Sequence, residues 1–222
     1  MKYTVVYQRR KSVGVYVLPD GSVEVRAPFG CPNGFVEQMV SKNTDWIVNR
    51  QKALQDQQGR RRCVPEAVRL LGKKLPIAPS PDGKVFFDSA NGRAYLPKDR
   101  TMEELMPAME KEYRRLAQEM LPDRVQELAA AFGLRVRRVG ITGARGRWGS
   151  CSSGGSVNFT WRVMMASPCA IDSVIIHELM HFFQPNHSPA FRKLERENTP
   201  HFEACQRELR ELAQQIREEG WL

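Results

Sequence analysis

Hydrophobic and polar positions alternate through the first 27 residues, and the run SVGVYVLPDGSVEVRAP reverses at Pro19-Asp20-Gly21. Proline presets one turn dihedral, aspartate bonds nearby backbone and glycine accepts positive φ, so a β-meander is predicted. The period then lengthens. Over residues 33–57, Phe35, Val36, Met39, Val40, Trp46, Ile47 and Leu54 recur on roughly one helical face. Asn43-Thr44-Asp45 is a candidate break that would divide this stretch into two helices, and the basic segment 58–62 reads as a loop.

Strand character returns over 67–96, in AVRLLGKKLPI, KVFFDS and RAYLP, separated by Pro, Gly, Asp and Asn. Thr101 is a candidate cap for a short helix carrying Glu103 and Glu104 in its first turn. A second helix is predicted from Pro107 to Met120, and Pro122 starts or kinks a third segment that ends near Phe132-Gly133. Residues 134–141 and 155–160 alternate as strands. Residues 169–184 form a helix whose apolar run, Ile171, Val174, Ile175, Ile176 and Leu179, predicts deep burial. One or two amphipathic helices over 188–219, ending at Gly220, complete the chain.

A hydrophobic fraction of 41% with 27% charged residues is that of a folded globular chain, which excludes disorder over most of the 222 residues. The N-terminus lacks the apolar core of a signal peptide and no 18-residue apolar run occurs, so a cytoplasmic protein without a membrane span is expected. Cys31, Cys63, Cys151, Cys169 and Cys205 are odd in number and lack CxxC spacing, which fits free thiols better than a disulfide framework or zinc ribbon. The net charge of +9 is unevenly placed: residues 1–100 hold 18 Lys+Arg against 9 Asp+Glu, and residues 101–222 hold 16 against 16. Runs at Arg9-Arg10-Lys11 and Arg60-Arg61-Arg62 make nucleic acid a candidate partner of the first half, beside the plainer reading of a solvated basic face. Charge balance and element type both change near 98–102. Two parts are therefore expected, a β-rich basic subdomain over 1–100 with one helical segment, and a mostly helical domain over 101–222.

The chemistry concentrates in one stretch. All four histidines lie between positions 177 and 201, and three fall within HELMHFFQPNH, residues 177–187. Helical positions i and i+4 are about 400° apart, so His177 and His181 project from one face a turn apart. That spacing lets two imidazoles reach one metal at about 2.0–2.1 Å. Glu178 lies about 100° around the helix, free to face a water held there rather than the ion itself. His187 is the natural third ligand, but six helical residues would leave it about 240° away, so the chain must exit and bend back. Gln184-Pro185-Asn186 supplies the exit, and Ser188-Pro189 supplies a cap and first residue for the next helix.

The stretch 147–191, RWGSCSSGGSVNFTWRVMMASPCAIDSVIIHELMHFFQPNHSPAF, closely resembles the signature of the YgjP-like metallopeptidases, relatives of the SprT-like and WLM zinc peptidases. The match lies at Arg147 to Ser152, at Asn158 with Arg162, at the HExxH and at Asn186 to Ser188, and PDGSVEVRAP and the Trp46 helix also resemble the family, so the resemblance spans nearly the whole chain. The resemblance implies an α+β fold with a gluzincin-like zinc peptidase domain, zinc ligands His177, His181 and His187, and Glu178 as general base. Arg192 stands where the family usually has Trp, and His201 where an acidic residue is common.

A zinc-dependent peptidase acting on peptide or protein is therefore expected. Two alternatives remain at this stage. A metal-dependent nucleotide phosphohydrolase would use the basic half on phosphates, yet the chain has no Gly-rich phosphate loop. A nucleic-acid-binding protein with a structural zinc would not need Glu178 or an open coordination position. His201, Tyr113 and Arg162 are candidate oxyanion donors, each with a plainer structural role. Cys151 is a candidate inhibitory ligand, with a packing thiol the plainer reading.

Overall fold

Val23, Val25 and Ala27 are buried and alternate with partly buried Glu24, Arg26 and Pro28, a period of two that marks the centre of a sheet. The computed structural model describes residues 1–62 and 64–221, with side chains for all of these except 56–62. It divides into two compact units, Met1–Arg62 and Cys63–Leu222.

In the first unit, β1 (Thr4–Gln8), β2 (Gly14–Val17) and β3 (Val23–Pro28) form a sheet in the order β1-β3-β2. The predicted meander is only half realised. β2 and β3 make the expected hairpin, with Asp20 accepting from the Ser22 amide, but β1 pairs in parallel with the far edge of β3. The buried stripe of β3 makes it the strand worth flanking on both sides. Helices α1 (Asn33–Lys42) and α2 (Thr44–Arg62) break at Asn43 as expected, and Val36, Val40 and Ile47 pack into the same small core. Phe35 and Trp46, read as part of that face, point outward instead. The predicted loop at 58–62 is also corrected: α2 continues to Arg62, because Gln and Arg favour helix and a single glycine costs only about 1 kcal/mol.

The second unit begins with β4 (Ala67–Leu70), β5 (Lys73–Pro79), β6 (Phe86–Asp88) and β7 (Arg93–Leu96), in the order β4-β5-β7-β6. The β4–β5 turn, Leu71-Gly72, has φ of 51° and 76° and donates its two amides to the carbonyls of Met164 and Met165. A Cβ on Gly72 would lie 2.9 Å from the Ser167 backbone, so the hairpin tip is seated against the segment that starts the metal-site helix.

The three helical segments expected between Thr101 and Phe132, with their proline breaks, prove to be one element, α3 (Met102–Ala131). Thr101 and Glu104 close a capping box, and buried Leu105, Met109, Tyr113, Ala117, Leu121 and Val125 run unbroken along one face. Pro107 and Pro122 lie off that stripe, and the carbonyls they leave unpaired, at Glu103 and Gln118, belong to exposed residues that water can satisfy. Burial of the stripe outweighs the two missing hydrogen bonds. Against α3 lie β8 (Arg138–Thr142), β9 (Gly149–Cys151) and β10 (Ser156–Thr160), in the order β8-β10-β9. The strand expected over 134–141 thus sits a few residues later. β10 is parallel to β8 and antiparallel to β9, which leaves β9 as an edge.

A 3₁₀ turn, Trp161–Met165, leads into α4 (Pro168–Met180), followed by α5 (Pro189–Asn198) and α6 (Phe202–Glu218). Arg162 donates to the Trp221 carbonyl and lies over the Trp161 ring, so it ties the C-terminal end into the core. Tyr113, fully buried, bonds the Arg69 carbonyl and packs on Trp161. Both therefore do structural work. Cys31, Cys151, Cys169 and Cys205 are free thiols, and Cys63 lies outside the described residues. Among the described residues no helix is long and apolar enough to cross a membrane.

Candidate metal centre

α4 owes its position to four anchors. Ser167 caps it by accepting from the Ala170 amide, Pro168 fills its first position, and Glu208 of α6 binds both the amide and the hydroxyl of Ser167 at 2.6 Å. On its flank Asp172 takes a bidentate pair of bonds from Arg124 of α3, at 2.8 and 2.5 Å. The helix ends at Met180 with His181 as its C-cap, earlier than the expected residue 184. The chain then turns through Gln184-Pro185-Asn186 and re-enters a helix at Ser188, whose hydroxyl accepts from the Phe191 amide. That cap and the proline at the first position of α5 stand as the sequence indicates.

This path brings His187 back over α4. His177, His181 and His187 each offer one ring nitrogen, all within 4.8 Å of one another, and Nε2 of His187 lies 3.1 Å from Nε2 of His177. Ligands at about 2.0–2.1 Å around a tetrahedral ion are separated by roughly 3.3 Å, so the cluster can close on one cation with small ring movements. Two of its outer nitrogens are already committed. Nδ1 of His177 lies 2.7 Å from Glu195 and Nδ1 of His181 lies 3.1 Å from the Gln184 carbonyl, which orients both Nε2 atoms inward. Phe191, fully buried, packs beneath all three rings at 4.6–5.0 Å between centroids. Burial pulls His181 below its ordinary pKa and so favours the neutral, ligand-competent ring.

Glu178 stands beside the cluster and outside it. Its side chain is only 5% exposed, and burial pushes its pKa up to about 7 against the opposing charges of His177 and Arg147. The carboxylate lies against β9, where a Cβ on Gly149 would stand 2.5 Å from its Oε1. Above it opens a cleft of about 990 Å³ between β9 and α6, floored by α4.

These side chains can hold a metal ion, present a poised carboxylate to a water and leave room for an extended ligand. The YgjP-like, metallopeptidase domain family matches residues 11–212. The chain belongs to that family. Its activity is metal-dependent peptide hydrolysis, and the phosphohydrolase and structural-metal alternatives fall away. Neither a search of curated proteins nor one of solved structures gives a match. The YgjP-like motif Arg147–Ser152 maps to the edge strand and its approach, and Asn186–Ser188 to the returning turn. Both departures from the family pattern, Arg192 and His201, are exposed and do not line the cleft.

The other candidates take quieter places. His201 is the left-handed residue before α6, at φ 53°, without a side-chain capping bond. Cys151 lines the cleft but is not in the ligand cluster, and its thiol pKa is raised by burial and by Glu178. Two contributors escaped the sequence reading. Glu195 is hidden among the charges of KLEREN and betrays itself only by lying four residues beyond buried Phe191. Gly149 was visible inside RWGSC but carried no indication of what it touches.

Proposed function

We propose that the ion is zinc, held by His177, His181 and His187, and that Glu178 is the general base. The observation that carries this is the convergence of three imidazoles, two of them oriented from outside, beside one buried carboxylate that no ligand role consumes. Three neutral nitrogen donors suit zinc among the common cellular metals, and they leave a fourth position open. A zinc ion there supplies Lewis acidity, lowering the pKa of a water to about 7 and polarising a carbonyl.

The chain's own residues do the rest. Glu178, with a pKa near neutrality, takes the proton from the attacking water and returns it to the departing amine. Glu195 holds the His177 ring in its donor-outward tautomer. β9 has a free edge facing the cleft, so an extended peptide would add to it as a further strand. On this reading the catalytic part is residues 101–222, gluzincin-like in placing its HExxH helix beside an edge strand, with β4–β7 as its support under α3. A nucleic-acid partner for the basic first hundred residues is suggested by charge alone and forms no part of this proposal.

Metal analysis of the purified protein and a casein assay of Glu178→Gln test the assignment together. The variant is expected to keep about one equivalent of zinc per chain and to lose turnover by about 10²–10⁴-fold. Full activity in that variant, or a protein devoid of bound metal, would refute it.

A further inference from the structure

The cleft carries an unusual balance of charge. Its acidic lining consists of Glu178 alone, which is buried and committed to the reaction. Two exposed arginines line the same space: Arg147, just before β9, and Arg210 on α6. Other cleft-facing groups are apolar, neutral or imidazole. Some arginines of the unit are held by carboxylates, as in Arg114 with Glu110, Arg115 with Glu112 and Arg124 with Asp172, and their charge is already answered. Arg147 and Arg210 form no ion pair with any described residue.

We infer that the cleft selects acidic peptide segments, with Arg147 and Arg210 as the residues that set this specificity. The inference rests on the peptidase reading above and names its substrate class. Arg147 is two residues from Gly149, and Gly149 touches Glu178. Two residues of extended chain span about 7 Å, so a peptide along β9 places side chains within about three positions of the scissile bond near Arg147, whichever way it runs. Arg210 faces the cleft from α6, where β9 cannot reach. An aspartate or glutamate on the substrate meets a planar guanidinium able to bind it through two parallel hydrogen bonds. A lysine there meets two like charges with only the buried Glu178 to offset them.

The test uses the zinc-loaded full chain and matched fluorogenic peptides that differ only in Asp, Ala or Lys within three positions of the scissile bond. Expected kcat/KM falls in the order Asp, Ala, Lys, by about tenfold or more from first to last at low salt, with the ratio shrinking as salt rises. Arg147→Glu with Arg210→Glu should invert the order, and Arg→Lys at both should preserve it. In parallel, the Glu178→Gln protein binds the same peptides without cleaving them, read by fluorescence anisotropy, and Kd is expected to rise in the order Asp, Ala, Lys. Equal values across the series, or a preference that survives the double Glu variant, would overturn the inference. Absence of cleavage in every peptide would sink the peptidase reading instead, and the binding order would still decide this one.

Discussion

Gly149 and Glu178 are in direct contact: a Cβ on the glycine would stand 2.5 Å from Oε1, 2.8 Å from Cγ and 2.9 Å from Cδ of the glutamate. No alanine fits while the carboxylate keeps its place. Glu178 is fixed at its root by α4 and so must swing its terminal atoms away. Gly149→Ala is expected to lower kcat by about 10–100-fold, because misplacing a reacting group by about 1 Å costs that much. Metal content should not change, since the displaced Glu178 is not one of the three proposed ligands. Zinc stoichiometry and steady-state kinetics on the same preparation check both halves.

Glu195 should reveal itself in metal affinity. It is 2% exposed and accepts from His177 at 2.7 Å, so Glu195→Gln keeps the shape but weakens the acceptor. Affinity for zinc is expected to fall about 10–100-fold, with activity recovering when zinc is in excess. Competition against a chromophoric chelator measures it. Unchanged affinity would remove Glu195 from the centre.

Removing a proposed ligand should be harsher. His187 is exposed, so His187→Ala leaves the fold of the metal-free protein within about 0.5 kcal/mol of the parent. Its zinc affinity should drop by more than the roughly 10–100-fold expected of a supporting partner. Chelation of the parent protein should abolish turnover, and added zinc should restore it. Chelator-resistant hydrolysis would contradict the metal-centred reading.

The buried Glu178 also predicts a pH signature in the chelated protein. Its pKa rises from 4.5 to about 7 on folding, chiefly through burial. The folded state therefore holds this proton more tightly than the unfolded chain does. The associated stability is complete below about pH 4.5 and is lost as pH rises through 7. Glu178→Gln has no such group. At pH 8 the metal-free variant should be more stable than the metal-free parent by up to about 3 kcal/mol, a gap that closes by about pH 4.5. Urea titrations across that range test it.

Gly72 offers a prediction on stability alone. With φ at 76° and the Ser167 backbone 2.9 Å from where a Cβ would be, Gly72→Ala is both strained and overpacked. A loss of about 2–4 kcal/mol is expected. Thermal unfolding measures it, and a neutral outcome would mean the hairpin tip does not bear on the start of α4.

The metal centre was far more legible than the fold around it. HExxH spacing, the proline exit and the Ser188-Pro189 cap are local signals, each acting within a turn or two of helix, and the structure uses them as they stand. The prolines of α3 misled because their local effect was overridden by a buried stripe whose value depends on distant strands. The β1–β3 pairing was invisible for the same reason, since register is a property of two segments and not of either one. Glu195 and Gly149 belong to that class: their importance lies in the atoms they meet, and composition does not record it.

The three proposed ligands sit four and six residues apart in one short stretch, unlike sites whose donors come from distant parts of a chain. Closing loops this small carries little entropic penalty, so the unfolded polypeptide can also wrap an ion. Zinc would then raise the melting temperature by less than its affinity for the finished centre suggests, because both ends of the unfolding equilibrium gain from it. Loading need not wait for folding, and a nascent chain could capture its ion as soon as His187 clears the ribosome.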